Sequence, residues 1–430
     1  MTNHIQVGEP LKSLRQKRFI EPQAMPSLIK PGEWVFVPGS SGAPLSFMEE
    51  LLRDPELTRN ARLLTSYVPG INALDLERMH PSGQVTGLFM QPEFAIAQRE
   101  GRFRALPMSY AGFVRHINEQ VNVDLAVIQL SPPDENGMCS LGPSVEFAPA
   151  VLRKARRRLG LINMQTPVVR GSYTVRFDSL DYVCEVDTPI PVYDVPADSG
   201  TEAIARHIAP LIEDGTVLQT GLGKVPTALM SMLRDRRGLK LHSGMLSDGL
   251  LELAAAGALD MNYLHTSCVL VGSHSFYERI RDFHPLRVVG CDISHDPVLL
   301  AKLDRFVTVN SALEVDLFGQ CNLETTRGAA VSGCGGAPDF ARAGRMSLGG
   351  NSIIALHATH KHGSRIVPML GPQTVATLSR VDVDFVVTEY GVARLKGASV
   401  HERAEALIQI AAPEYRSELQ DAWRLIASRL

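Results

Sequence analysis

Two glycine-rich turns and one polar run hold the residue types in this 430-residue chain that could do chemistry. The first turn, Gly221-Leu222-Gly223-Lys224-Val225-Pro226, lies between a β-branched run and a helical pattern. Its backbone N–H groups and the start of the helix can therefore face an anion. Pro226 replaces the third glycine of a dinucleotide fingerprint, and the Gly-Lys-Ser/Thr of a Walker loop is missing. A tight strand-to-helix turn without a ligand is the competing reading. The second turn, residues 332–340, carries Gly333, Gly335 and Gly336, which let a backbone approach a ligand closely or merely shape a loop. The polar run is His242-Ser243-Gly244-Met245-Leu246-Ser247-Asp248-Gly249, on the strand and turn that follow the first glycine loop.

Other clusters carry less. Residues 131–142, with Pro132, Pro133, Asn136 and Gly137, read as a shaped turn after a buried strand. His357, His360 and His362 have no neighbouring carboxylate or cysteine, so they read as a solvated loop and no metal is expected. The basic run from Arg153 to Arg158 reads as one charged helix face.

The elements that must position these residues follow from pattern. Short apolar runs at 34–37, 125–129, 216–219, 306–309, 352–356 and 385–388 alternate with helical stretches such as 227–233 and 402–410. That alternation argues for α/β architecture with mostly parallel, buried sheets. A repeat sharpens it: Gly39 and Pro44 recur as Gly221 and Pro226, both at an offset of 182, each after a strand and each proline opening a helix. Two related α/β domains result, 1–192 and 193–430, joined through the proline-rich stretch 189–200. The composition, 45% hydrophobic and 21% charged, suits a large buried core, and a net charge of −3 gives no reason to expect nucleic acid. The six scattered cysteines lack any CxxC pair, and the polar start Met1–Gln6 does not read as a signal peptide. A cytoplasmic protein with free thiols, no membrane span and a homo-oligomeric state is the expectation.

Taken together, residues 39–44, 132–142, 182–187, 218–226, 242–249, 310–320, 335–340, 364–368 and 388–393 resemble the acetyl-CoA hydrolase/transferase family, the group that includes 4-hydroxybutyrate CoA-transferase. The resemblance covers nearly the whole chain. It implies two related open α/β domains of the class I CoA-transferase type, with acyl-CoA in the cleft between them. Coenzyme A is then a substrate, no cofactor is tightly bound, and the partners are acyl-CoA and small carboxylic acids. Gly221, Leu222, Gly223, Lys224 and Val225 would contact CoA, with Gly319, Gly335 and Gly336 as further contacts. Family members use a glutamate nucleophile that attacks the thioester, dividing one hard exchange into easier steps.

In this chain the glutamate's place in the His-Ser/Thr-Glu-Met-x-Ser-Asp-Gly stretch is taken by Gly244. The resemblance implies an enzyme that exchanges CoA between an acyl-CoA and a short-chain mono- or dicarboxylate, with acetate, succinate, 4-hydroxybutyrate and itaconate all compatible. Glu389, in a Thr-Glu-Tyr-Gly turn, and Asp248 are the candidate replacement carboxylates. Arg365 and Arg394 are candidate partners for a second substrate carboxylate. Without a covalent nucleophile the site could instead activate water as an acyl-CoA hydrolase, or join two substrates directly. It could also bind CoA without chemistry, or the glycine could be an engineered knockout. Gly244 could equally serve backbone geometry. As a missing side chain it would leave room for a bulkier acyl group or a water.

Overall fold

The computed structural model describes residues 18–361 and 363–430; the start of the chain at Met1–Gln6 and His362 lie outside the described residues. Two sheets organise the chain. The first has seven strands in the order Phe103–Ala105, Gln84–Gly87, Arg62–Thr65, Trp34–Val37, Leu125–Leu130, Arg157–Asn163, Tyr182–Val186, and every pairing is parallel. The second has six, in the order Lys240–Leu241, Val217–Thr220, Phe306–Ser311, Asn351–Ala355, Phe385–Thr388, Gly391–Arg394, with only the last pair antiparallel. Leu125–Leu130 is buried at all six positions, the continuous apolar run expected of a strand covered on both faces.

The repeat has a topological meaning. Trp34–Val37 has its next strand in sequence, Arg62–Thr65, on one side and the later Leu125–Leu130 on the other. Val217–Thr220 likewise has Lys240–Leu241 on one side and Phe306–Ser311 on the other. Each copy of the motif therefore leaves its sheet where the strand order reverses, the place at which open α/β sheets collect ligands beyond their carboxyl ends.

The helices depart from the sequence reading in detail. Pro44 caps helix Leu45–Leu51, whereas Pro226 is the third residue of helix Lys224–Met232 and does not open it. A proline is tolerated there because the first N–H groups of a helix have no partner inside it. The basic run is not one helix face either. Arg153 and Lys154 close helix Ala148–Lys154, and Arg157 and Arg158 begin the next strand. The apolar residues of that strand must enter the sheet, so the chain leaves the helix at Ala155. Lys154 then donates to the carbonyls of Ile117 and Asn118 at 3.0 and 2.7 Å, and Arg157 pairs with Glu33. The proline-rich stretch carries no regular structure until Asp198, whose side chain caps helix Ser199–Ile208 through Thr201.

The halves meet through the ends of their sheets. Ser41 Oγ donates to the carbonyl of Leu270 at 2.8 Å, and Met90 N donates to the carbonyl of Ser332 at 3.3 Å. Asp339 accepts from Ser109 Oγ and from Ala111 N at 2.7 and 3.0 Å. The loop at Ser41 and the glycine turn at 332–340 are thus pinned against the opposite half.

Candidate active site between the two halves

The two copies of the glycine loop differ in a way that matters. A β-carbon on Gly39 would collide with the backbone of Ser66, so that glycine is demanded by packing. A β-carbon on Gly221 or Gly223 would meet nothing within 4 Å. Only the second loop borders open space.

Two neighbouring spaces share the wall at Gly221 and Leu222. One, about 320 Å³, is bounded by Gly221, Leu222, Gly244, Gly335, Gly336 and, from the first half, Phe89. The other, about 220 Å³, shares Gly221 and Leu222 and adds Gly223, Ser247 and Asp248. Of the five loop residues, Lys224 turns aside to pair with Asp198 at 2.7 Å, and Val225 is buried in the core. Lys224 holds the Asp198 carboxyl well below the usual range, and the cap bonds from Thr201 add to that. Gly319 borders neither space; it closes the turn after Asp316, against Leu395 and Arg403.

Gly244 sits on the wall of the larger space. Its φ lies outside the left-handed region, so the backbone does not require a glycine there. One side of Gly244 is closed by a ring, while the rest borders the larger space. The His295 imidazole packs against it, with Nε2 3.1 Å from the point where a β-carbon would stand. The Gly244 carbonyl is tied down by Cys268 N, Val269 N and Ser267 Oγ at 3.2, 3.1 and 3.1 Å.

Neither candidate carboxylate reaches Gly244's space. Asp248 borders the smaller space and accepts from Ser273 N and Oγ at 3.0 and 2.6 Å. Glu389 accepts from Ala358 N at 2.9 Å and lies 3.9 Å from His357 Nδ1, bordering neither space. The three carboxylates of the smaller space, Asp194, Asp248 and Glu252, repel a diphosphate, and Arg234 already pairs with Glu252.

Several contributors were not legible in the sequence. His295 follows the short helix Cys291–Ser294 and is almost completely buried. Burial pushes its imidazole down to about 3, and His242 nearby adds to this, so the ring is neutral at ordinary pH. Gln219 and Asn310, at the ends of adjacent central strands, exchange amide hydrogen bonds at 3.3 and 3.2 Å beside the space. Glu146, fully buried at φ +40°, accepts from Ser40 Oγ and Ser66 Oγ at 2.6 Å each and braces the first-half loop. Burial raises its carboxyl, while those hydrogen bonds pull the other way.

Behind His295, the ligand atoms of Cys268, Cys291 and His295 all lie within 4.8 Å of one another. Two thiols and an imidazole form a donor set that suits a borderline-soft ion such as zinc. Its one sequence signal was the i, i+4 spacing of Cys291 and His295.

The arrangement defines a two-halved α/β protein with a glycine-walled cleft between the carboxyl ends of its sheets. The chain belongs to the acetyl-CoA hydrolase/transferase family: the family's N-terminal domain matches residues 11–194 and its C-terminal domain residues 272–423. It is 36% identical over 315 residues to a 4-hydroxybutyrate coenzyme A transferase of Clostridium kluyveri, covering 71% of this chain and 73% of the relative. It is 31% identical over 428 residues to a succinyl-CoA:cyclohexane-1-carboxylate CoA transferase of Geobacter metallireducens, covering 96% of each. The crystal structure of RipA from Yersinia pestis superposes with a TM-score of 0.88 at 28% identity, over 97% of this chain and 99% of that one.

Proposed function

We propose that this chain transfers CoA from an acyl-CoA to a free carboxylic acid, and that the acceptor carboxylate attacks the thioester directly while both substrates are bound. The observation that carries this is the wall of the larger space. It includes Gly244 and, among the described residues, no aspartate or glutamate. With no enzyme carboxylate to form an acyl-enzyme, the ionised acceptor supplies the nucleophile.

The step balances without any added proton. The acceptor oxygen bonds to the thioester carbon, and the C–S bond breaks to give CoA thiolate and a mixed anhydride of the two acids. The thiolate then attacks the acceptor-derived carbonyl, and the donor acid leaves as its carboxylate. Holding both reactants in one cleft supplies the orientation such an exchange needs. The amides of Gln219 and Asn310 and the backbone at Gly335 and Gly336 are the groups available to a developing oxyanion.

Hydrolysis places a different demand on the site. Water must lose a proton, whereas a carboxylate is already a nucleophile. Among the described residues the one imidazole on the wall is that of His295, and it is too weak a base for that task at neutral pH. The open approach to Gly221 and Gly223 fits the amide-bearing arm of CoA, and the neighbouring carboxylates argue against the diphosphate lying there. In this reading the chain works as a cytoplasmic homo-oligomer, with halves dividing at 192/193. Among the described residues no helix is long and apolar enough to cross a membrane.

Initial-rate kinetics with both substrates varied will test the mechanism. Intersecting lines, with no CoA released from acyl-CoA alone, are expected. Parallel lines with a modified residue would replace direct attack by a covalent route. Free acid formed without acceptor would make the protein a hydrolase, and CoA binding with no turnover would leave only a binding protein.

A further inference from the structure

We propose that the acid handled in the larger space carries an uncharged, apolar or aryl body and no second carboxylate. This rests on reading that space as the place of acyl transfer.

The wall is built from rings. Phe89 and Tyr110 of the first half stand 6.2 Å apart, Tyr110 and His295 4.8 Å, and His295 and Phe340 4.6 Å, centroid to centroid. Val68 and Ile71, from the loop after strand Arg62–Thr65, complete the apolar side. Phe89 closes on the other half directly, since a β-carbon on Gly335 would lie 3.2 Å from its ring. Both halves thus supply hydrocarbon to one face.

Charge is missing from that face. Among the described residues no lysine, arginine, aspartate or glutamate borders the space. The arginines that the sequence offered as partners for a second carboxylate stand elsewhere. Arg365 borders a separate space of about 130 Å³ beside Glu314, and Arg394 lies on the last strand of the second sheet with its side chain exposed. A second ionised carboxylate against the ring-lined face would have no cation to meet it, whereas the reacting carboxylate has the amides of Gln219 and Asn310 on the other side, so a second charge there is unfavourable.

Hydrocarbon there is favoured. Each methylene removed from water strengthens binding roughly fourfold. An apolar cavity of about 150 Å³ holds a benzene ring in general. The larger space, at about 320 Å³, therefore has room for a ring or a short alkyl chain together with the reacting thioester.

The test is an acceptor panel with acetyl-CoA as donor: acetate, hexanoate, benzoate, succinate and itaconate. The expected result is a kcat/KM for hexanoate or benzoate at least tenfold above acetate, with succinate and itaconate at least tenfold below hexanoate. Preference for acetate, succinate or itaconate would overturn the proposal. Calorimetric titration of the same acids into the CoA-saturated protein reads the preference without turnover. Benzoate binding more tightly than succinate in a protein that transfers nothing would sink the transfer reading and leave the acid-selectivity proposal standing. Succinate binding more tightly than benzoate would overturn the selectivity proposal whether or not transfer occurs. Ile71→Arg, which adds a cation to the wall, should raise succinate relative to hexanoate at least tenfold. An unchanged ratio in a folded variant would count against this wall as the acyl-facing surface.

Discussion

His295 and Gly336 fit each other edge to backbone. A β-carbon on Gly336 would stand 2.6 Å from the imidazole Cδ2 and still closer to Nε2, while Gly244 offers its bare α-carbon to the same ring. One neutral imidazole is therefore clasped between glycines from two separate segments. Gly336 has φ −86°, so the demand for glycine there comes from the ring and not from the backbone.

Gly336→Ala should consequently destabilise the protein by about 1–3 kcal/mol, the usual range for overpacking. Gly244→Ala should cost less, because its methyl needs the ring to move only a few tenths of an ångström. Urea unfolding midpoints of both variants, alone and with His295→Ala, check the relationship. The Gly336→Ala penalty should shrink in the His295→Ala background, and equal penalties in the two backgrounds would mean that the ring is not the obstacle.

Gly244→Glu would place a carboxylate on the wall of the larger space. Incubated with acyl-CoA alone and then with borohydride, the variant should show a modified residue 244 by mass spectrometry, and the wild type none. An adduct on the wild-type chain would identify a nucleophile other than the acceptor acid.

The glycines of the second loop should separate by physical cause. Gly223 has φ +122° with open space around it, so a side chain there is strained although nothing obstructs it. Gly223→Val should weaken CoA binding at least tenfold and also lower stability. Gly221 has open space and no positive φ, so Gly221→Ala should leave the unfolding midpoint unchanged and raise the KM for acyl-CoA. Calorimetry with CoA and steady-state kinetics measure the two effects.

Asp339 gives a pH dependence. Burial raises its carboxyl to about 6, against hydrogen bonds from Ala111 N and Ser109 that favour ionisation. The folded chain therefore holds this proton more tightly than the unfolded one. Its contribution to stability is complete below about pH 4 and is lost as pH rises through about 6. The loss is about 3 kcal/mol for a shift of this size. Asp339→Asn removes the titration. The difference in unfolding free energy between wild type and Asp339→Asn should fall with pH between 4 and 6 and stay level above it, as read from urea melts at each pH. A flat difference across that window would show that the carboxyl titrates normally.

Much of the fold was legible because local pattern and tertiary placement agree. The apolar runs at 34–37 and 385–388 are strands with those bounds, and the run at 125–129 extends by one residue. The repeat of Gly39 and Pro44 in Gly221 and Pro226 also corresponds to equivalent places in two sheets. Where pattern misled, a longer-range demand prevailed. The charges from Arg153 to Arg158 suggested one helix, but the apolar strand that follows had to join the sheet.

The sequence by itself determined the α/β class, the family, the two glycine loops and the glycine at position 244. Those are matters of residue type and local order, which a linear chain displays openly. Only the tertiary structure decided which of those glycines face open space, that Glu389 stands away from Gly244, and that His295 packs beside it. It also brought Phe89 and Tyr110 from one half against Phe340 from the other. No spacing in the chain records such meetings, because residues far apart in sequence come together only when two sheets turn their carboxyl ends toward each other.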